Sequence, residues 1–347
     1  MRITKTSLLL STALATSLAL AACGGASNGT EGDGESEGGG AAGGEGTEMR
    51  LALNQTEDHP SYIALDNFGQ TFAEGAPGWG IDVYPNEQLG AQAEALQLVS
   101  DGSVEMAIVS GAQLENLNED FTVYNLPKVF EDVDHQMQVI NEPDELTQDL
   151  FDSLEEGSKI TVLGGFTQGS RSVYTSFGPI ESAEDFAGKK MRVQESPLNI
   201  SIAEALGASA TPMAYGELYT GLQSKVVDSA ENNEVSYFTQ KHYEVAPYWS
   251  YTNHVVGLDY LIINSDVLSS MDDDVRAEFD AGWDAAWKEH TELWNEATQE
   301  AIDGAKEGGA TFTEVDDSAF EEALTAIADE YISNDNQQAL YDQARGN

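Results

Sequence analysis

From Met49 to Asn233 short apolar stretches alternate with stretches of helical period, and the whole series runs twice. "MRLALN", residues 49–54, reads as a strand. The segment "TEDHPSYIALDNFGQTFAEGA" follows as a helix, with Tyr62, Leu65, Phe68 and Phe72 three or four residues apart. "IDVYP" alternates as a strand does, "NEQLGAQAEALQLVSDG" opens a second helix, and "VEMAIVS" is a third strand. The second series reads "ITVLGGF", "RSVYTS", "KKMRVQ", a helix from Pro197 to Leu206, "ATPMAY", a helix from Gly216 to Ser224 and then "VVDSAENN". This order predicts an α/β fold on a parallel sheet. At 347 residues, two lobes sharing a cleft suit the chain better than one domain.

A different pattern runs from Asp272 to about Lys306. Val275, Phe279, Trp283, Ala286, Trp287, His290, Leu293, Trp294 and Ala297 recur every three or four residues, which predicts one long amphipathic helix. Acidic residues at its start favour the positive end of the helix dipole. Its three tryptophans read as core, and a helix this long is expected to brace both lobes.

The N-terminal residues read "MRITKTSLLLSTALATSLALAAC": basic Arg2 and Lys5, an apolar run, then small residues before Cys23. Residues 1–22 are therefore expected to be an export signal, since the apolar run falls short of the ~20 residues of a membrane span. "LAAC" resembles the bacterial lipobox, which implies lipidation of Cys23 and a lipid anchor to the membrane. Cys23 is the sole cysteine, so it has no partner within the chain for a disulfide. Residues 23–47, rich in Gly, Glu and Ser, contain no aromatic or large aliphatic side chain and read as a flexible tether.

Charge narrows the function. With 61 acidic residues against 15 lysines and arginines, the net charge is −46, and the basic stripe that nucleic acid requires is missing. So acidic a surface repels itself, which is tolerable where salt screens it. Enzyme signatures are missing too: the five histidines have no metal-ligand spacing, Gly188-Lys189 is followed by lysine rather than Ser or Thr, and no glycine–serine–glycine elbow stands between a predicted strand and a helix. The reading is of a non-enzymatic protein without a cofactor.

Arginine is scarce, at six residues, and two of these stand near the ends of predicted strands of the second series: Arg171 in "GSRSVYT" and Arg192 in "MRVQ". Open α/β sheets present such positions to a crevice. A guanidinium there offers a permanently charged planar fork that grips a carboxylate with two parallel bonds. With so many acids in the chain, either arginine alone could equally be a structural ion-pair partner.

Over Leu51 to Leu268 the chain resembles the DctP-type solute-binding proteins of tripartite ATP-independent periplasmic (TRAP) transporters. The stretches that carry the likeness include "DHP", "VYPNEQLG", "LPKVFED", "GKKMRVQESP", "EALGASATPMAYGELYTGLQSKVVDSAENN" and "HYEVAPYWSYTNH". The resemblance implies a two-lobed, periplasmic-binding-protein-like fold of type II with a long helix spanning both lobes. Domain I would comprise residues 48–168 and 259–297, and domain II residues 169–258 and 298–347.

It also implies that Arg192 forms the ion pair with a ligand carboxylate and that Arg171 contacts the same group. Asn232 would donate to the ligand, and Tyr215 would stack on it or bond to it. Ser110 falls where a strand of the first lobe reaches the cleft. His59, Asp58, Glu94 and Asn233 are expected to serve ligand hydroxyls. The implied role is extracytoplasmic capture of a small carboxylated solute for a TRAP permease in the membrane. The doubled asparagine in "ENNEVSYF", with "RVQES" and "DHP", resembles family members that bind sugar acids such as hexuronates more than those for C4-dicarboxylates, sialic acid or ectoine. A sensor or enzyme using the same cleft is the remaining alternative.

Overall fold

Among the described residues nine strands join in one sheet whose centre is formed by two unusually long members. In this computed structural model, which describes residues 47–316 and 318–346, the strands are β1 (Thr47–Ala52), β2 (Trp79–Tyr84), β3 (Met106–Ser110), β4 (Ile160–Thr175), β5 (Lys190–Val193), β6 (Ser209–Pro212), β7 (Ser229–Asn232), β8 (Tyr248–Asn264) and β9 (Thr311–Glu314). Their order is β2-β1-β3-β8-β4-β7-β5-β6, with β9 beside β8. The expected export signal, Cys23 and nearly all of the tether lie outside the described residues; Thr47 belongs to β1.

The two series of the sequence occupy the two ends of the sheet. β1 pairs in parallel with β2 and β3 at one end, and β5 in parallel with β6 and β7 at the other. The expectation of a parallel sheet holds within these groups and for β9 against β8. β3 against β8, β8 against β4 and β4 against β7 are all antiparallel, so the sheet is mixed. Periodicity reports which face a side chain takes and is blind to strand direction.

The segments "ITVLGGF" and "RSVYTS" also prove to be one strand, β4, rather than two. Its glycines bend the strand instead of ending it: Gly164 and Gly169 adopt positive φ (134° and 59°), and the β4–β8 register shifts between Val162 and Gly164 and again between Thr167 and Ser170. Bulges of this kind re-aim a strand. The second shift carries β4 and β8 from one group of strands to the other.

The long helix runs from Asp273 to Glu307. Asp272 caps it, its Oδ1 accepting from the Val275 N–H at 3.0 Å, and Asp273 and Asp274 follow in the first turn. Near its start the helix packs on α1 (Pro60–Gly75), where the Phe68, Phe72 and Phe279 rings meet with Phe279 centroids 5.3 and 5.4 Å from the other two. Each buried aromatic of this kind is worth ~1.5–3 kcal/mol. Gly282 lets the helix approach α1 closely, since a Cβ there would lie 2.7 Å from the Phe68 ring.

Towards the other end Gly304 does the same against Phe238, which belongs to the short helix Glu234–Thr239 of the second group. One helix thus braces both ends of the sheet. Trp283 and Trp294 are buried in its apolar face, as a core reading requires, and Trp287 is half-buried. The Trp283 Nε1–H donates to the Leu163 carbonyl at 2.9 Å.

A cleft lined from the strand ends

Where the C-terminal ends of the two strand groups face each other lies a cleft open to solvent. One wall comes from the first group: Asn54 and Gln55 just after β1, Glu87 after β2, Gln92 at the start of α2 (Gln92–Ser100), and Gln113 after β3. The other comes from the second group: Arg192 on β5 and Gln194 just beyond it, Met213 and Tyr215 after β6, and Asn232 at the end of β7. Open α/β sheets bind ligands at this position because strands that stop there leave polar side chains and backbone groups facing a crevice.

Arg192 is 3% exposed and has no acidic partner within ion-pair distance among the described residues. Its Nε–H donates to the Met213 carbonyl at 2.9 Å, and its guanidinium carbon lies 5.7 Å from the Tyr215 ring centroid. The four N–H groups on Nη1 and Nη2 meet no protein acceptor among the described residues, and the side chain lines the cleft. Burial lowers the pKa of this guanidinium from its ordinary value.

Arg171 is arranged in the opposite way. Its Nε and Nη2 grip the Glu231 carboxylate at 2.6 and 2.8 Å, the other Nη2 hydrogen goes to the Glu231 carbonyl at 3.3 Å, and Nη1 donates to Gln168 and to Asn232 Oδ1. All five donors are engaged within the protein. Burial would raise the Glu231 carboxyl, but Arg171 and His254 outweigh it and hold that carboxyl far below the usual range. Strand position alone treated the two arginines alike; the structure gives Arg171 an acid and leaves Arg192 without one within ion-pair distance.

Asn232 and Tyr215 complete this wall. Asn232 Oδ1 accepts from Arg171, and its Nδ2 donates to the Tyr215 hydroxyl at 3.3 Å. Burial pushes the Tyr215 pKa up to about 12, so the phenol keeps a proton to donate.

The remaining expected site residues are placed elsewhere. Asn233 is buried next to Asn232 but caps the helix Glu234–Thr239, its Oδ1 accepting from the Ser236 N–H at 2.7 Å. His59 caps α1: its Nδ1 accepts from the Ser61 N–H at 3.1 Å, and its Nε2 meets the Ser236 hydroxyl at 3.3 Å. It bridges α1 to the second group away from the cleft lining, and burial pulls its pKa down to about 3, so the ring is neutral. Asp58 and Glu94 are exposed and do not line the cleft.

Ser110 lies in a smaller adjoining recess that shares Gln168, Arg171 and Gln194 with the main cleft. Its hydroxyl donates across the cleft to Gln194 Oε1 at 2.5 Å.

Several polar residues of the cleft lie outside the set that sequence reasoning selected. Asn54 Oδ1, Gln55 Oε1 and Glu87 Oε1 are buried and have no hydrogen-bond partner among the described residues, an arrangement that native proteins keep mainly where something else completes it. Asn54 and Gln55 carried a legible signal, as polar residues directly behind the apolar strand "MRLAL", and Gln194 stands in the same relation to "KMRV". Glu87 carried none in so acidic a chain.

A second bond between the two strand groups links Glu115 to Ser196, whose hydroxyl donates to the carboxylate at 2.5 Å; Asn125 donates to its other oxygen at 2.8 Å. Burial raises the Glu115 pKa to about 7, against the two hydrogen bonds. A carboxyl raised in the folded state contributes stability that is complete below its unfolded value and is lost as pH climbs through the folded one. Replacing Glu115 with glutamine is therefore expected to remove a loss on the order of 3 kcal/mol between about pH 4.5 and 7. Urea unfolding of both proteins across that window measures it.

Residues 51–335 match the family described as DctP, "Bacterial extracellular solute-binding protein, family 7". A curated relative from Chromohalobacter salexigens, named "Solute-binding protein", is 33% identical over 277 residues, covering 79% of this chain and 81% of its own. The C4-dicarboxylate-binding periplasmic protein DctP of Rhodobacter capsulatus is 33% identical over 259 residues, covering 72% and 75% respectively. Among solved structures, a TRAP periplasmic solute-binding protein from Anaerococcus prevotii with bound D-glucuronate superposes with a TM-score of 0.83 at 34% identity, covering 86% of this chain and 97% of that one.

Proposed function

Because the chain belongs to the family 7 bacterial extracellular solute-binding proteins, we propose that it captures a hexuronate-type sugar acid by its carboxylate on Arg192 and delivers it to the membrane permease of a TRAP transporter. One observation carries the carboxylate assignment. Arg192 is a buried guanidinium of the cleft lining whose four Nη N–H groups have no protein acceptor, and no acid lies within ion-pair distance of it among the described residues, whereas every donor of Arg171 is engaged by the protein. A carboxylate completes the first; the second has no need of one. In this reading Arg171 holds Asn232 and Glu231 in place. The amides of Asn54, Gln55 and Gln92, with the Tyr215 hydroxyl, provide the donors and acceptors that several sugar hydroxyls require.

The glucuronate bound by the Anaerococcus relative supports a hexuronate. The cleft holds its ligand without altering it, so the solute is recovered chemically unchanged. Export by residues 1–22 and a lipid on Cys23 would keep the protein at the outer face of the cytoplasmic membrane. The lobes divide as domain I (48–168 and 259–297) and domain II (169–258 and 298–347); the β4–β8 register shift between Thr167 and Ser170 supports a boundary there.

A second reading, a C4-dicarboxylate, is favoured by the named function of the Rhodobacter relative. A thermal-shift screen of hexuronates against succinate, malate and ectoine separates the two. The expected result is the largest upward shift with D-glucuronate or D-galacturonate. Stabilisation by succinate or malate with none by any hexuronate overturns the sugar-acid reading.

A further inference from the structure

Glu87 is an acid in a cleft read as a carboxylate site, and its geometry is specific. Asn86 and Glu87 both adopt positive φ, 57° and 55°, a conformation that non-glycine residues rarely hold. Two backbone bonds keep them there: the Asn86 N–H donates to the Gln55 carbonyl at 2.9 Å and the Glu87 N–H to the Leu53 carbonyl at 3.0 Å. The turn after β2 is thereby pinned to the segment after β1, and the Glu87 side chain reaches across the cleft. Its Oε2 packs against the backbone of Gly216 on the opposite wall, where any Cβ would collide with it. Its Oε1 is buried with no hydrogen-bond partner among the described residues.

We propose that Glu87 is the specificity-determining residue of the cleft, accepting a hydroxyl hydrogen from a polyhydroxylated monocarboxylate held on Arg192 and repelling any ligand that carries a second carboxylate. The charges agree. Arg171 is neutralised by Glu231, so Arg192 is the one guanidinium of the cleft lining left for a ligand anion, and the other acid of the lining, Glu195, adds to the repulsion. A ligand with one carboxylate and several hydroxyls matches one free cation and one free acceptor. A dicarboxylate would set like charges together in a site from which water is largely displaced, where their repulsion is strongest. The inference rests on the sugar-acid reading above and deepens it.

The test compares D-glucuronate with D-glucarate, which has a second carboxylate at C1 in place of the aldehyde. Isothermal titration calorimetry gives both dissociation constants for the wild type, for Glu87→Gln, which keeps the shape and removes the charge, and for Glu87→Asp, which keeps the charge. The expected result is a preference for glucuronate of at least tenfold in the wild type and in Glu87→Asp. In Glu87→Gln it narrows at least tenfold, chiefly through tighter glucarate binding. If glucuronate binds and the ratio in Glu87→Gln changes less than threefold, the inference is overturned and the sugar-acid reading stands. If the wild type binds neither acid, both fall.

Discussion

Replacing Arg192 with alanine is expected to weaken binding of the sugar acid at least a hundredfold while leaving the melting temperature unchanged or higher. The two halves of this result have one cause. A charge-assisted bond contributes ~1.5–3 kcal/mol net, and a bidentate pair in a water-poor cleft lies at the upper end. At ~1.4 kcal/mol per tenfold the loss reaches about two orders of magnitude, out of the ~8 kcal/mol that micromolar capture requires. The fold itself gains little from this guanidinium, because burial disfavours its charge and no carboxylate is paired with it. Removing it relieves a desolvation cost and leaves only the Met213 carbonyl without its donor. Calorimetry and a thermal melt on one preparation read both effects. Arg192→Lys should fall between, since it keeps the charge but loses the planar fork.

Replacing Arg171 with alanine should do the reverse: unfold the protein at a markedly lower temperature, with a loss of about 3–5 kcal/mol. The substitution strands Glu231, which is 5% exposed and otherwise has only His254, at 3.6 Å, within ion-pair distance among the described residues. It also frees the groups that Arg171 ties together at Gln168 and Asn232. pH supplies a signature that mere loss of packing would not. In the wild type Glu231 is held below its ordinary range, so the pair's stabilisation is present above the unfolded carboxyl value and disappears as pH falls through the folded one. In the variant the stranded carboxylate gains by taking up a proton, so the deficit relative to wild type shrinks on acidification. Melting temperatures from pH 7 down to 4 test this. A deficit that does not vary with pH would place the damage in packing rather than charge.

The contrast between these arginines marks where the sequence stopped being legible. Each stands near the end of a strand in an acid-rich chain, so strand position alone could not separate them. The separation depends on Glu231, sixty residues from Arg171 along the chain and brought beside it by the antiparallel pairing of β4 with β7, which sets Ser172 opposite Asn232 and Val173 opposite Glu231. Strand direction leaves no trace in a two-residue period, and neither does such a pairing.

His59 and Asn233 are ambiguous in sequence for a related reason. A polar residue at the start of a helix looks the same in sequence whether it caps the helix or faces a ligand, and here both cap. The long helix, in contrast, was legible almost to the residue. Its nine positions of helical period and its capping Asp272 are local signals, and 35 residues leave little room for another reading. "ITVLGGF" and "RSVYTS" read as two strands because the glycines at and between them tolerate positive φ, which serves turns and bulges equally; the partner strand β8 decides between them.

The account stands on the Arg192 guanidinium receiving the ligand carboxylate, and a diffraction structure of crystals grown with D-glucuronate measures this directly. The expected result is both carboxylate oxygens within about 3 Å of Arg192 Nη1 and Nη2, with the Arg171–Glu231 pair intact. A carboxylate seated on Arg171, or an Arg192 side chain turned onto Glu87 or Glu231, would contradict it.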